Sequence, residues 1–140
     1  MKIFISSDHA GFNLKNQIIK KLNKRKYKIT NLGPYTDNSV DYPIFAKKVA
    51  KKVSKNKSYF GILVCGSGTG MAMAANKVKK IRAAMCYNVK NTKLSRLHNN
   101  ANIITVGSGL TSKNLDFKLI NIFLKTKFEG GRHLRRIKNI

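Results

Sequence analysis

FGILVCGSGTGM, residues 60–71, reads as a buried strand that runs into a glycine loop and then into a helix. The apolar run FGILV ends at Cys65, and Gly66, Gly68 and Gly70 follow at alternate positions. Backbone amides in such a loop commonly hold an anion. Two familiar versions do not match. A dinucleotide fingerprint needs G-x-G-x-x-G where this stretch has G-x-G-x-G, and no G-K-[ST] follows. A helix starting near Thr69 or Gly70 directs its free N–H groups and its dipole at whatever the loop holds. The cysteine at the mouth of the loop needs its own explanation.

Outward from this stretch, short β-rich runs alternate with amphipathic helical patterns. The strands are expected at KIFIS (2–6), YKITNL (27–32), FGILVC (60–65), RAAMC (82–86) and NIITVG (102–107). Helical patterns lie near 12–25, 42–55, 70–79, 90–98 and 113–126. This alternation predicts right-handed βαβ units and a five-stranded parallel sheet covered on both faces, a doubly wound α/β domain. The runs IFI, GILV and IITV lack polar alternation, as strands buried on both sides do. The tail EGGRHLRRIKNI opens on a glycine pair and is expected to be a C-terminal helical arm, not a sixth strand. Residues 1–140 are expected to form a single domain.

Composition narrows the function classes. No stretch approaches the roughly 18 apolar residues of a membrane span, and MKIFISSDH carries no signal-peptide core. Two cysteines without C-x-x-C spacing argue against a disulfide framework or a zinc ribbon, and for reduced thiols in the cytoplasm. The net charge of +24 invites a nucleic-acid reading. Its distribution argues otherwise. In DYPIFAKKVAKKVSKNK, Phe45, Ala46, Val49, Ala50 and Val53 recur at helical spacing while Lys47, Lys48, Lys51, Lys52 and Lys55 fill a solvated face. Leu14, Ile18 and Leu22 repeat the pattern, and no block mixes arginines with aromatics. Nucleic acid is therefore disfavoured as the main partner, although the field attracts anions generally.

The chain has three histidines (His9, His98, His133) and five acids (Asp8, Asp37, Asp41, Asp116, Glu129). That is too few clustered acids for a glycosidase pair or a two-metal site, and no zinc spacing occurs. Alone, Cys65 reads as a small buried hydrophobe, His98 as a solvated helix end, His9 as a turn residue and Asp8 as the cap of the first helix. Beside a loop of amide donors, however, a strand-end thiol favours its thiolate. A Cys–His hydrolase stays open, with Cys65 and His98 meeting across the top of the sheet. Ligands of open parallel sheets bind beyond the carboxyl ends of the strands, and these residues are expected on that one rim.

Seven segments in order carry a resemblance: S-D-H-A-G-F (7–12), D-Y-P (41–43), G-I-L-V-C-G-S-G-T-G-M (61–71), A-N-K (75–77), I-R-A (81–83), S-R-x-H-N-x-x-N (95–102) and E-G-G-R-H-x-x-R-I (129–137). Together they resemble type B ribose-5-phosphate isomerases, of the family that includes galactose-6-phosphate isomerase subunits. The resemblance implies a cofactor-free, metal-free aldose–ketose isomerase of the pentose phosphate pathway. It also implies a Rossmann-like three-layer α/β/α sandwich, and a homodimer or dimer of dimers with shared active sites. It gives Cys65 as the base, with Ser67 where the family usually has threonine, and Gly66, Gly68, Thr69 and Gly70 as the loop around the enediolate. His98 matches the ring-opening residue with Asp8 nearby. His9, Arg132 and Arg136 match phosphate contacts, and Tyr42 and Asn99 line the sugar. A related six-carbon sugar phosphate is the alternative substrate. One departure stands out: the family has G-S/T-R after the fifth strand, and this chain has Gly107–Ser108–Gly109. The missing arginine contacts phosphate across the dimer in relatives.

Overall fold

Strands IFI, GILV and IITV need apolar cover on both faces, and they form the centre of the sheet. The computed structural model describes residues 1–25 and 27–140. In chain order the elements are β1 (Lys2–Ser7), α1 (Phe12–Asn23), β2 (Lys28–Asn31), α2 (Tyr42–Val53), β3 (Tyr59–Cys65) and α3 (Thr69–Asn76). They continue with β4 (Ala83–Met85), α4 (Val89–Leu97), β5 (Ile103–Gly107), α5 (Lys113–Lys125) and α6 (Arg132–Ile137). The strand order is β2-β1-β3-β5-β4, all parallel. The three inner strands are thus the three without polar alternation.

Side chains alternate between two cores. Ile3, Ile5, Ile62, Val64, Ile104 and Val106 face α1 and α5, where Leu14, Ile18, Leu119, Ile120 and Phe123 meet them. Phe4, Leu63, Cys65 and Ile103 face α2 and α3, against Ala46, Val49, Ala50, Met71 and Ala75. The lysines of α2 lie outside, as its periodicity predicts. In α1 the pattern has one exception: Lys15 is buried while Lys20 and Lys21 are exposed.

Several boundaries are shorter than expected. Arg82 and Cys86 fall outside β4, an edge strand paired only with β5. The helix expected over 70–79 stops at Asn76, and Lys80 turns the chain with φ of 70°. Asp8 does not occupy the cap position of α1. That position is Gly11, and Asp8 Oδ1 instead accepts the Gly11 N–H at 2.8 Å. Among the described residues no helix is long and apolar enough to cross a membrane.

The chain winds from β1 out to β2, then crosses back to place β3 on the other side of β1. This reversal opens a crevice beyond the carboxyl ends of β1 and β3, the usual ligand position in open α/β sheets. Asp8 follows one of these strands and Cys65 ends the other.

Candidate active site

Cys65 is the last residue of β3, 5% exposed, with its side chain turned toward the α2/α3 core. Its Sγ accepts the Gly68 N–H at 3.0 Å. Gly68 has a φ of 80°, a conformation that favours glycine, and it directly precedes α3. The loop therefore folds back over the sulfur before the helix begins, leaving first-turn amides of α3 without helical partners. Ser67 Oγ accepts the Thr69 N–H at 3.3 Å, and the Thr69 hydroxyl donates to Met85 Sδ at 3.0 Å. Thr69's hydroxyl is thus tied to the β4 end of the loop. A turn after β5 braces the other side: Ser108 N–H donates to Cys65 O (2.8 Å) and Gly109 N–H to Gly66 O (2.9 Å).

Tyr42, the first residue of α2, packs over this loop. A Cβ added at Gly70 would lie 2.7–2.9 Å from the Tyr42 ring and hydroxyl, so Gly70 is small because the aromatic ring occupies that space. On the β1 side, exposed His9 accepts the Val40 N–H on Nδ1 at 3.3 Å. Asp8, Cys65, the 66–70 loop and Tyr42 thus surround the crevice, with His9 beside them.

The remaining expected residues are elsewhere. A helix joining two parallel strands runs antiparallel to them, so the end of α4 lies where the strands begin. His98 caps that end. Just beyond it, Asn102 O accepts the Gly61 N–H, whereas Cys65 pairs with Gly107 four residues further up the sheet. At about 3.3 Å per residue, roughly 13 Å of sheet separates these levels. Cys65 and His98 of one chain do not meet over the top of the sheet, and the expected residues do not share one rim.

At the lower end a second cluster forms around His98. Its ring stacks on His133 with centroids 4.1 Å apart, and its Nε2 lies 3.7 Å from Glu129 Oε2. Glu129 N–H donates to Leu97 O, which holds the tail against α4. Asn99 follows His98, and its carbonyl accepts Arg82 Nε at 3.0 Å. Arg132 and Arg136, one helical turn apart on α6, are exposed beside the buried His133. His133 Nε2 is buried without a hydrogen-bond partner. Burial lowers the His133 pKa below its ordinary value, with His98, Arg132 and Arg136 adding to the effect and Glu129 opposing it. The three residues offer ligand atoms within 4.8 Å of one another. With two arginines alongside, the local field favours an anion over a metal cation. Glu129 and His133 were not among the expected site residues. The E-G-G-R-H run, which contains the chain's one glutamate, was the available signal.

Comparison with known proteins covers nearly the whole chain. The family model described as Ribose/Galactose Isomerase matches residues 3–140. Ribose-5-phosphate isomerase B of Escherichia coli is 37% identical over 139 residues, covering 99% of this chain and 93% of that protein. The structure of ribose-5-phosphate isomerase B from Clostridium thermocellum superposes with a TM-score of 0.97 at 44% identity, covering 99% of this chain and 94% of that one. The enzyme from Mycoplasma genitalium with bound ribulose-5-phosphate gives a TM-score of 0.95 at 46% identity, covering 99% and 92%. With sheet, loop and motifs in agreement along its length, the chain belongs to the ribose/galactose isomerase family.

Proposed function

We propose that the chain interconverts D-ribose 5-phosphate and D-ribulose 5-phosphate by moving a proton between C1 and C2, as the pentose phosphate pathway requires. The observation that carries this reading is the lone thiol of Cys65 enclosed by an amide-lined loop at the crevice between β1 and β3. Proton transfer alpha to a carbonyl needs one base and donors for the developing oxyanion. Cys65 serves as that base. It takes the C2 proton of the open aldose and returns it to C1, and the amides of Gly66 to Gly70 stabilise the enediolate oxygen. Ser67 assists proton movement between the two oxygens, and Thr69 holds the loop. Tyr42 lines the sugar on this side.

The reaction needs a second set of residues, and in one protomer these lie at the opposite end of the sheet. We infer a homodimer in which the His98 end of one protomer closes the Cys65 crevice of its partner. Across it, His98 opens the furanose with Asp8, Asn99 lines the sugar, and His9, Arg132 and Arg136 hold the phosphate dianion. Arginine suits that task through its planar fork of donors. The ribulose-5-phosphate bound by the Mycoplasma genitalium relative supports the five-carbon substrate. The galactose part of the family description keeps six-carbon sugar phosphates as the competing reading.

A direct assay of purified, chelator-treated protein decides between them. The expected result is a kcat/KM for ribose 5-phosphate at least about tenfold above those for allose 6-phosphate and galactose 6-phosphate. Faster turnover of either six-carbon substrate would reverse the assignment.

Gly109 gives a sharper test of phosphate binding. Its φ is not positive, so its backbone conformation accepts a side chain. A Cβ would lie 3.1 Å from Gly66 O, a shift of a few tenths of an ångström. A charge-assisted hydrogen bond contributes roughly 1.5–3 kcal/mol, about ten- to a hundredfold in affinity. Gly109→Arg is therefore expected to lower KM by about tenfold with kcat nearly unchanged, the signature of added uniform binding. An unchanged KM would mean that the existing cations already saturate the phosphate.

A further inference from the structure

Lys15 has no exposed surface, yet among the described residues no carboxylate lies within ion-pair distance of it. Its ammonium donates to the carbonyl of Pro34 and lies 4.9 Å from the centre of the Phe12 ring. Burial lowers its pKa to about 8. An ammonium removed from water with only a carbonyl and a ring for company costs folding free energy. Methionine would fill nearly the same space without that cost. What the amine holds in place is therefore informative.

Pro34 begins the connection from β2 to α2. Gly33 and Pro34 are buried, while residues 35–39 are exposed. Gly33 is itself anchored: its carbonyl accepts the Ser7 N–H (3.2 Å) and its N–H donates to Asn31 Oδ1 (3.0 Å). At the far end of the connection, Val40 N–H donates to His9 Nδ1, and Tyr42 opens α2. A backbone amide can only donate. His9 Nδ1 must therefore present its lone pair, and the proton of the neutral ring sits on Nε2. Nε2–H is then the donor available to an anion.

We propose that Lys15 is a positioning residue for the sugar phosphate. Its ammonium pins Pro34, and the pinned connection brings the Val40 amide to His9 so that Nε2–H faces the phosphate. The inference rests on the phosphate role given to His9 above. It goes further by assigning the orientation of that ring to a buried cation on a different element. A freed connection would lose the Val40 contact, and the ring would sample both tautomers.

Three variants separate the possibilities: His9→Asn, Lys15→Met and Lys15→Gln, the last keeping an N–H donor without the charge. Each is compared with the wild type by thermal denaturation, by kinetics on ribose 5-phosphate, and by the imidazole 15N shifts of His9. For Lys15→Met the expected result is a KM raised by about tenfold with kcat within about twofold. Its His9 shifts should move from the Nε2–H tautomer toward a mixture. Lys15→Gln should change in the same direction by less, and it carries the test if the methionine variant does not fold. Wild-type KM and tautomer in a folded Lys15 variant, with KM raised in His9→Asn, would overturn the role of Lys15. An unchanged KM in His9→Asn would instead sink the phosphate role of His9, and the tautomer shift alone would then judge the link from Lys15 to the ring.

Discussion

Replacing Cys65 with alanine is expected to reduce kcat by about 10³-fold or more, because positioned acid–base groups contribute roughly 10²–10⁴ and this site offers no second thiol. The loss should fall on kcat with KM little changed, since in the proposed mechanism the sulfur acts on the reacting carbon and not on the phosphate. Folding should survive. The substitution removes one buried atom and leaves the Gly68 N–H without its acceptor, which costs about 1–3 kcal/mol. Alkylation gives an independent measurement. One thiol per chain should react in the native protein, with substrate slowing the reaction. Cys86 should stay inert: it is 1% exposed, and burial raises its pKa, with hydrogen bonds to Thr92 and Ser95 opposing the rise. A Cys65→Ala protein that keeps more than a few per cent of activity would remove the thiol from the mechanism.

Mixing two inactive proteins should restore activity. Cys65→Ala and His98→Asn each damage a different end of the sheet, and in one chain those ends are roughly 13 Å apart or more. If a twofold dimer brings the ends of two protomers together, a hybrid contains one site with both defects and one with neither. Random reassociation makes about half of the dimers hybrids. Activity should therefore recover to about a quarter of the wild-type value, from near zero in either parent. The measurement is turnover after the two variants are denatured together and refolded. Hybrids isolated with two affinity tags should show about half. Hybrids without activity would mean that each chain completes its own site and that the tail moves to reach Cys65.

Much of this architecture was legible in local pattern. Unalternated apolar runs marked β1, β3 and β5 as the inner strands, because a strand covered on both faces has no solvent side to make polar. The lysines of α2 read correctly as a solvated face for the same reason of period. Glycine spacing and the thiol marked the loop, since close backbone turns and strand ends leave short-range signatures. The position of His98 was available too. A helix between parallel strands must return its end to the edge where the strands start, and motif order concealed that simple geometry.

Other features depended on the folded chain. Lys15 lies on the α1 face that carries Ile18 and Leu22, but its charge argued for an outward position. The Pro34 carbonyl, 19 residues away in sequence, gives the amine a hydrogen-bond partner inside. The stacking of His98 on His133 and the approach of Glu129 join segments separated by β5 and α5. Periodicity records which side of an element is buried, because burial repeats with the geometry of that element. It does not record which distant polar group waits there. Local pattern was enough to define the layers, the inner strands and the glycine loop. The partner of the buried lysine and the company of His98 emerge only in the folded chain, because these contacts depend on how separate elements are set against one another.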